Sequence, residues 1–89
     1  MTVTQIEYST SFVKQFRKLN PELKKQAVKA ELLFKKDAFS PKLKTHKLTG
    51  KLKSLWAFSI NYQDRIIFEF MGKRKVLFYK IGSHDIYKV

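Results

Sequence analysis

The residues able to do chemistry in this chain are mostly cations. Lys42, Lys44, His46, Lys47, Lys51 and Lys53 crowd into one short stretch, Arg65 follows at the start of an apolar run, and Lys73 and Arg74 sit at a turn signal. Such a density of ammonium and guanidinium groups suits contacts to phosphate, which supply most of the sequence-independent affinity for nucleic acid. Basic loops also bind acidic partner proteins. The tail is of a different kind, with His84, Asp85 and Tyr87 set close together. A histidine titrates nearest neutrality, an adjacent carboxylate can orient or tune it, and a tyrosine can stack on a base or move a proton.

The totals agree with an anionic partner. Nineteen Lys and Arg against seven Asp and Glu give a formal net charge of +12 and a pI near 10.1. Self-repulsion on that scale is tolerated where nucleic acid, an acidic protein or a membrane surface neutralises it. A membrane is the weakest of these, because the aromatic residues alternate at strand period and form no amphipathic helical stripe. There are no cysteines, and His46 and His84 lie far apart, so neither a disulfide framework nor a zinc pattern is expected; no metal and no small-molecule cofactor is called for. The opening MTVTQIEYST lacks a basic n-region with an apolar core, and no apolar run approaches a membrane span of about 20 residues, so a cytoplasmic protein is expected.

Positioning these groups needs a sheet. At 89 residues one domain is expected over 1–89, with a thin core that 15% aromatic content thickens. Residues 3–8 alternate as a first strand, and Ser9, Thr10 or Ser11 can cap a helix whose apolar face carries Phe12, Val13, Phe16 and Leu19. Asn20, Pro21 and Glu22 end that helix and start a second, running to about Lys36, with Leu23, Ala27, Ala30, Leu33 and Phe34 inward. Its lysines, Lys24, Lys25, Lys29, Lys35 and Lys36, extend the basic field. Residues 37–45 form a connector.

Three strands follow, over 55–62, 65–70 and 76–81, with Gln63-Asp64 and Met71-Gly72-Lys73-Arg74 as turns. Trp56, Phe58, Ile60 and Tyr62 share one face of the first of these, and Ala57, Ser59 and Asn61 the other. Trp56, Phe58, Phe68, Phe70 and Phe78 are assigned to the core, Tyr8, Tyr62 and Tyr79 to its rim, and Asp64 to a turn. The order β-α-α-β-β-β predicts an α+β fold, an αα-hairpin packed on a small, mainly antiparallel twisted sheet.

That order, the stretch HKLTGKLKSLW followed by YQDRIIFEF, and the ending KIGSHDIY together resemble the RelE/ParE superfamily of toxins from bacterial type II toxin–antitoxin systems, nearest the RelE, YafQ and YoeB branches. The similarity spans essentially the whole chain. It implies a ribosome-dependent mRNA endonuclease that inhibits translation, with the ribosome and mRNA as partners and an acidic antitoxin protein that silences it. Such enzymes use the RNA 2′-OH as nucleophile and no metal.

Carried over by position, Arg65 matches the arginine that contacts the scissile phosphate. His84 matches the tail histidine acting as general acid or base; His46, which matches no family position, is expected to share the proton transfers with it if the chain cuts RNA. Tyr87 resembles the tail aromatic that stacks on the substrate base. Lys47, Lys51 and Lys53 resemble the basic loop that holds RNA, and Lys42, Lys44, Lys73 and Arg74 are expected to bind RNA with them. The chain departs from the pattern after Trp56, where catalytic members carry lysine, acidic or histidine residues and this chain has Ala57 and Ser59. That departure keeps open a ParE-like toxin acting on DNA gyrase, or a RelE-fold binding module without nuclease activity.

Overall fold

Two polar side chains set the helical part of the chain. The Ser9 hydroxyl accepts the N–H of Phe12 at 2.9 Å and so caps α1 (Thr10–Arg17), while its own proton goes to the carbonyl of Tyr79 at 2.6 Å. Asn20 accepts the N–H of Leu23 at 2.8 Å and caps α2 (Pro21–Lys36), with Pro21 at the first position and Glu22 in the first turn. The computed structural model describes residues 1–87, the side chains of His84 and Asp85 excepted.

The strands are β1 (Gln5–Tyr8), β2 (His46–Lys47), β3 (Trp56–Ser59), β4 (Arg65–Gly72) and β5 (Lys75–Gly82). They form one sheet in the order β1-β5-β4-β3-β2, parallel only between β1 and β5. The fold is therefore the expected α+β arrangement, with a short strand added before the meander.

Several strand boundaries differ from expectation, the two largest for a local reason. Val3 is buried, but its N–H goes to the Lys35 carbonyl at 2.9 Å at the end of α2, so β1 starts only at Gln5. Strand β3 stops at Ser59 because the Asn61 side chain accepts the N–H groups of Gln63 and Asp64 at 2.8 and 2.7 Å and turns the backbone out of the sheet. Tyr62, expected at the core rim, is accordingly 95% exposed. Strands β4 and β5 extend to Gly72 and from Lys75, which narrows the hairpin turn to Lys73 and Arg74.

The helices cover one face of the sheet. Phe34 from α2 is wholly buried among Phe58, Phe68 and Phe78, at centroid distances of 4.6, 4.9 and 5.5 Å. Trp56 and Phe70, placed in the core from sequence, are its half-buried margin. The other face carries a second, smaller cluster of Leu48, Leu55, Ala57, Ile67 and Ile86, with Leu52 and Tyr87 against it. A 3-10 turn, His84–Tyr87, brings Ile86 back over the sheet. Gly82 permits this return: its φ is +154°, and a Cβ there would stand 2.8 Å from Ile86 Cγ2.

Candidate nucleic-acid interface

Strand register decides which side chains meet. Ile66 and Phe68 pack toward the helices and Ile67 into the second cluster, so Arg65 and Ile67 point away from the helices. Arg65 pairs with Ser59 and Gly82, Ile67 with Ala57 and Lys80, and Ala57 with His46. The helix-free face thus carries Arg65, Ser59, Ala57, His46 and Lys80.

At the Arg65 end of that face lies a groove of about 560 Å³, lined by Lys42, Lys44, Ser59, Ile60, Asn61, Tyr62 and Arg65. Its central cation is held firmly. Arg65 Nη1 donates to the carbonyls of Asn61 at 3.0 Å, Asp64 at 3.1 Å and Tyr62 at 3.3 Å. Nη1 is tied back by the loop, and Nε and Nη2 make no hydrogen bond among the described residues. That leaves a planar pair of donors suited to two oxygens of one phosphate.

Lys42 belongs to the 3-10 turn Pro41–Leu43, and Lys44 follows it in the left-handed conformation, φ 51° and ψ 39°. Both side chains are exposed. His46 Nδ1 lies 3.0 Å from the Lys44 carbonyl. A carbonyl only accepts, so Nδ1 carries the proton, and in the neutral ring Nε2 keeps its lone pair free to take one. Register places the Cα of His46 about 12 Å from that of Arg65, two strand spacings across and two residues along.

The other expected phosphate ligands do not join this groove. Lys47 pairs with Trp56 and so faces the helix side. Lys51 and Lys53 are exposed in and after the 3-10 turn Gly50–Leu52, beyond the Trp56 end of β3. Lys73 and Arg74 occupy the β4–β5 turn, about 25 Å along β4 from Arg65 at ~3.3 Å per residue. The cations therefore form one cluster around Arg65 and a looser field toward the opposite end of the sheet.

Tyr87 lies half-buried on the helix-free face against the second cluster. The expected roles of the His84 and Asp85 side chains fall outside the described residues. Ala57 is fully covered by the second cluster, so only Ser59 of the two departing positions reaches the groove. Among the described residues no three His, Asp or Glu side chains gather to hold a metal ion, and no helix is long and apolar enough to cross a membrane. Asn61, expected on a strand face, instead makes the turn, which an asparagine three residues before Asp64 signals, and the part of Gln26 has no sequence signal. Lys80, on the same face, was read only as part of a strand.

Neither a protein-family profile nor a curated protein sequence matches the chain. Solved structures do. The chain superposes on the YoeB/ParE toxin from Agrobacterium tumefaciens with a TM-score of 0.77 at 13% identity, covering 91% of this chain and 99% of that one. For the E. coli DinJ-YafQ toxin-antitoxin complex the TM-score is 0.76 at 16% identity, with all of both chains covered. For the archaeal RelE-RelB complex from Pyrococcus horikoshii OT3 the values are 0.72 and 15%, covering 93% of this chain and 96% of that one. The chain has the RelE/ParE toxin fold.

Proposed function

We propose that this chain is the toxin of a type II toxin–antitoxin module and cleaves mRNA on the ribosome. The observation that carries this is the groove itself: Arg65, fixed by three carbonyls with two nitrogens left over, flanked by Lys42 and Lys44 on the helix-free face of a sheet shared with YafQ and RelE. In the proposed reaction the RNA 2′-oxygen attacks the adjacent phosphorus, the bond to the 5′-oxygen breaks, and the products are a 2′,3′-cyclic phosphate and a 5′-hydroxyl. One group takes the proton of the 2′-OH and another returns one to the leaving oxygen. His84 and His46 serve these transfers, Tyr87 stacks on a base, and Arg65 offsets charge on the phosphorane-like transition state. The site of action is the cytoplasm, where ribosomes and message are.

An acidic antitoxin is the proposed silencing partner. Val28 and Leu32 stand 47% and 57% exposed one turn apart on α2, flanked by Lys24, Lys25 and Lys29, a surface complementary to an acidic amphipathic segment.

Primer extension on message translated with purified ribosomes tests the enzyme. Wild type is expected to cut, and Arg65→Ala or His84→Ala to cut roughly 10²–10³-fold more slowly. Intact message under conditions where translation nevertheless stops would sink the nuclease. A second reading has its own support in the burial of Ala57, which presents no side chain to the groove. If the protein leaves message intact and stalls gyrase on supercoiled plasmid, that non-nuclease reading replaces the first.

A further inference from the structure

A tyrosine ring held almost wholly in water, on a loop tied by several hydrogen bonds, is a candidate for a ligand contact. Tyr62 is 95% exposed. The other exposed aromatic rings are engaged within the chain: Tyr8 donates to Glu31, Tyr79 lies under Lys80, and Phe39 packs on Trp56 and Phe70. Among the described residues the Tyr62 ring makes no aromatic contact and its hydroxyl no hydrogen bond.

The loop beneath it is fixed from several sides. Asn61 Nδ2 donates to Gln26 Oε1 of α2 at 2.7 Å, while Asn61 Oδ1 takes the N–H groups of Gln63 and Asp64. The Asp64 carbonyl accepts the Ile60 N–H at 2.9 Å, and the Tyr62 carbonyl itself accepts from Arg65. With the backbone set, only two side-chain torsions remain to be ordered when a partner stacks on the ring. The ring stands at the lip of the groove that Lys42, Lys44 and Arg65 line.

We infer that Tyr62 is a nucleobase-stacking residue and that the groove takes an unpaired RNA nucleotide, its phosphate on Arg65, Lys42 and Lys44 and its base on the Tyr62 ring. This rests on the proposal that the groove's partner is RNA. Cations beside an open π-face match the two halves of a nucleotide, and every base offers a face, so stacking here is tolerant of sequence.

The test uses short fluorescently labelled 2′-O-methyl RNA, which lacks the attacking hydroxyl, alongside an abasic strand of equal length. Wild type should bind the base-bearing strand the more tightly. Tyr62→Ala should weaken that binding by about 5- to 150-fold and leave the abasic strand and the salt slope as they were. Tyr62→Phe should bind as wild type, and thermal melts should match because the ring is not packed. Arg65→Ala should weaken both strands. If Tyr62→Ala binds the base-bearing strand like wild type while Arg65→Ala weakens both, Tyr62 does not stack on bases and the inference is overturned, with RNA in the groove intact. If Arg65→Ala and Tyr62→Ala both leave binding unchanged, RNA is not in this groove and both fall.

Discussion

Lys44 is where stability and charge oppose each other, and the two separate in a single substitution. Its φ of 51° and ψ of 39° put a lysine in a conformation that costs a residue with a Cβ roughly 1–2 kcal/mol. Glycine escapes that cost but loses roughly 0.4–1 kcal/mol to the greater freedom of its unfolded chain. The difference makes Lys44→Gly neutral to stabilising, by up to about 1.5 kcal/mol; at this length each kcal/mol moves Tm by about 4–8 °C. Lys44→Ala keeps the Cβ and therefore the cost, and should melt close to wild type. Both variants remove one cation from the groove. The slope of log K against log salt for single-stranded RNA should then flatten by about 0.7, the value for one phosphate contact. Thermal denaturation and a salt titration of binding, run on all three proteins, check the pair. A glycine variant that melts below the alanine variant refutes the backbone argument, and an unchanged slope in either refutes a phosphate contact by Lys44.

Two further outcomes test the helix side of the sheet. Phe34→Ala removes a fully buried ring packed on Phe58, Phe68 and Phe78, and should lower stability by about 3–5 kcal/mol, seen in urea as a lower midpoint at unchanged m; a loss under about 1 kcal/mol would show that the layers do not meet at this ring. Tyr8, although 46% exposed, is held above the ordinary phenol range by the partial burial of its ring and, after it, by its hydrogen bond to Glu31, so the folded state keeps a proton that the unfolded chain gives up near pH 10. The stabilisation is present below that pH and is lost as pH rises, so Tyr8→Phe should blunt the fall in stability between about pH 10 and 11, and equal alkaline losses in the two proteins would remove Tyr8 as its source.

What was legible in the sequence was what short-range chemistry decides. The caps at Ser9 and Asn20 bond amides three residues away, and α2 ran over the residues its pattern marked. Strand β2 was not legible, because two residues show no period and His46–Lys47 is a strand only by virtue of Ala57 and Trp56 opposite. The alternation from Trp56 continued through Ile60 to Tyr62 and read as strand, yet the Asn61 side chain offered Gln63 and Asp64 a competing partner and won. Adjacency in sequence grouped Lys42 through Lys53 as one rim. Register divides them, because consecutive residues of β2 point to opposite faces and the chain then runs away from Arg65. The face of Ala57 followed from period alone, but its cover of Leu48 and Ile86 comes from distant parts of the chain.

That cover limits how the groove can do chemistry. The second cluster fills the middle of the helix-free face, so a basic side chain in the place of Ala57 would lie among Leu48, Ile67 and Ile86, where its charge is disfavoured. Any proton acceptor for a phosphate seated on Arg65 must therefore reach it across the rim. Ser59, directly opposite Arg65, is a hydroxyl and no base at neutral pH. His46 offers Nε2 from the β2 side, and on the β5 side Gly82 pairs with Arg65 itself, so the turn His84–Tyr87 starts two residues after the strand partner of Arg65. The glycine that lets Ile86 close over the second cluster is thus also the residue that starts the tail at the groove's edge. The place of the tail at the groove's edge and the burial of Ala57 are consequences of the same bend, so in the proposed reaction the groups that move protons stand at the borders of the groove rather than at Ala57.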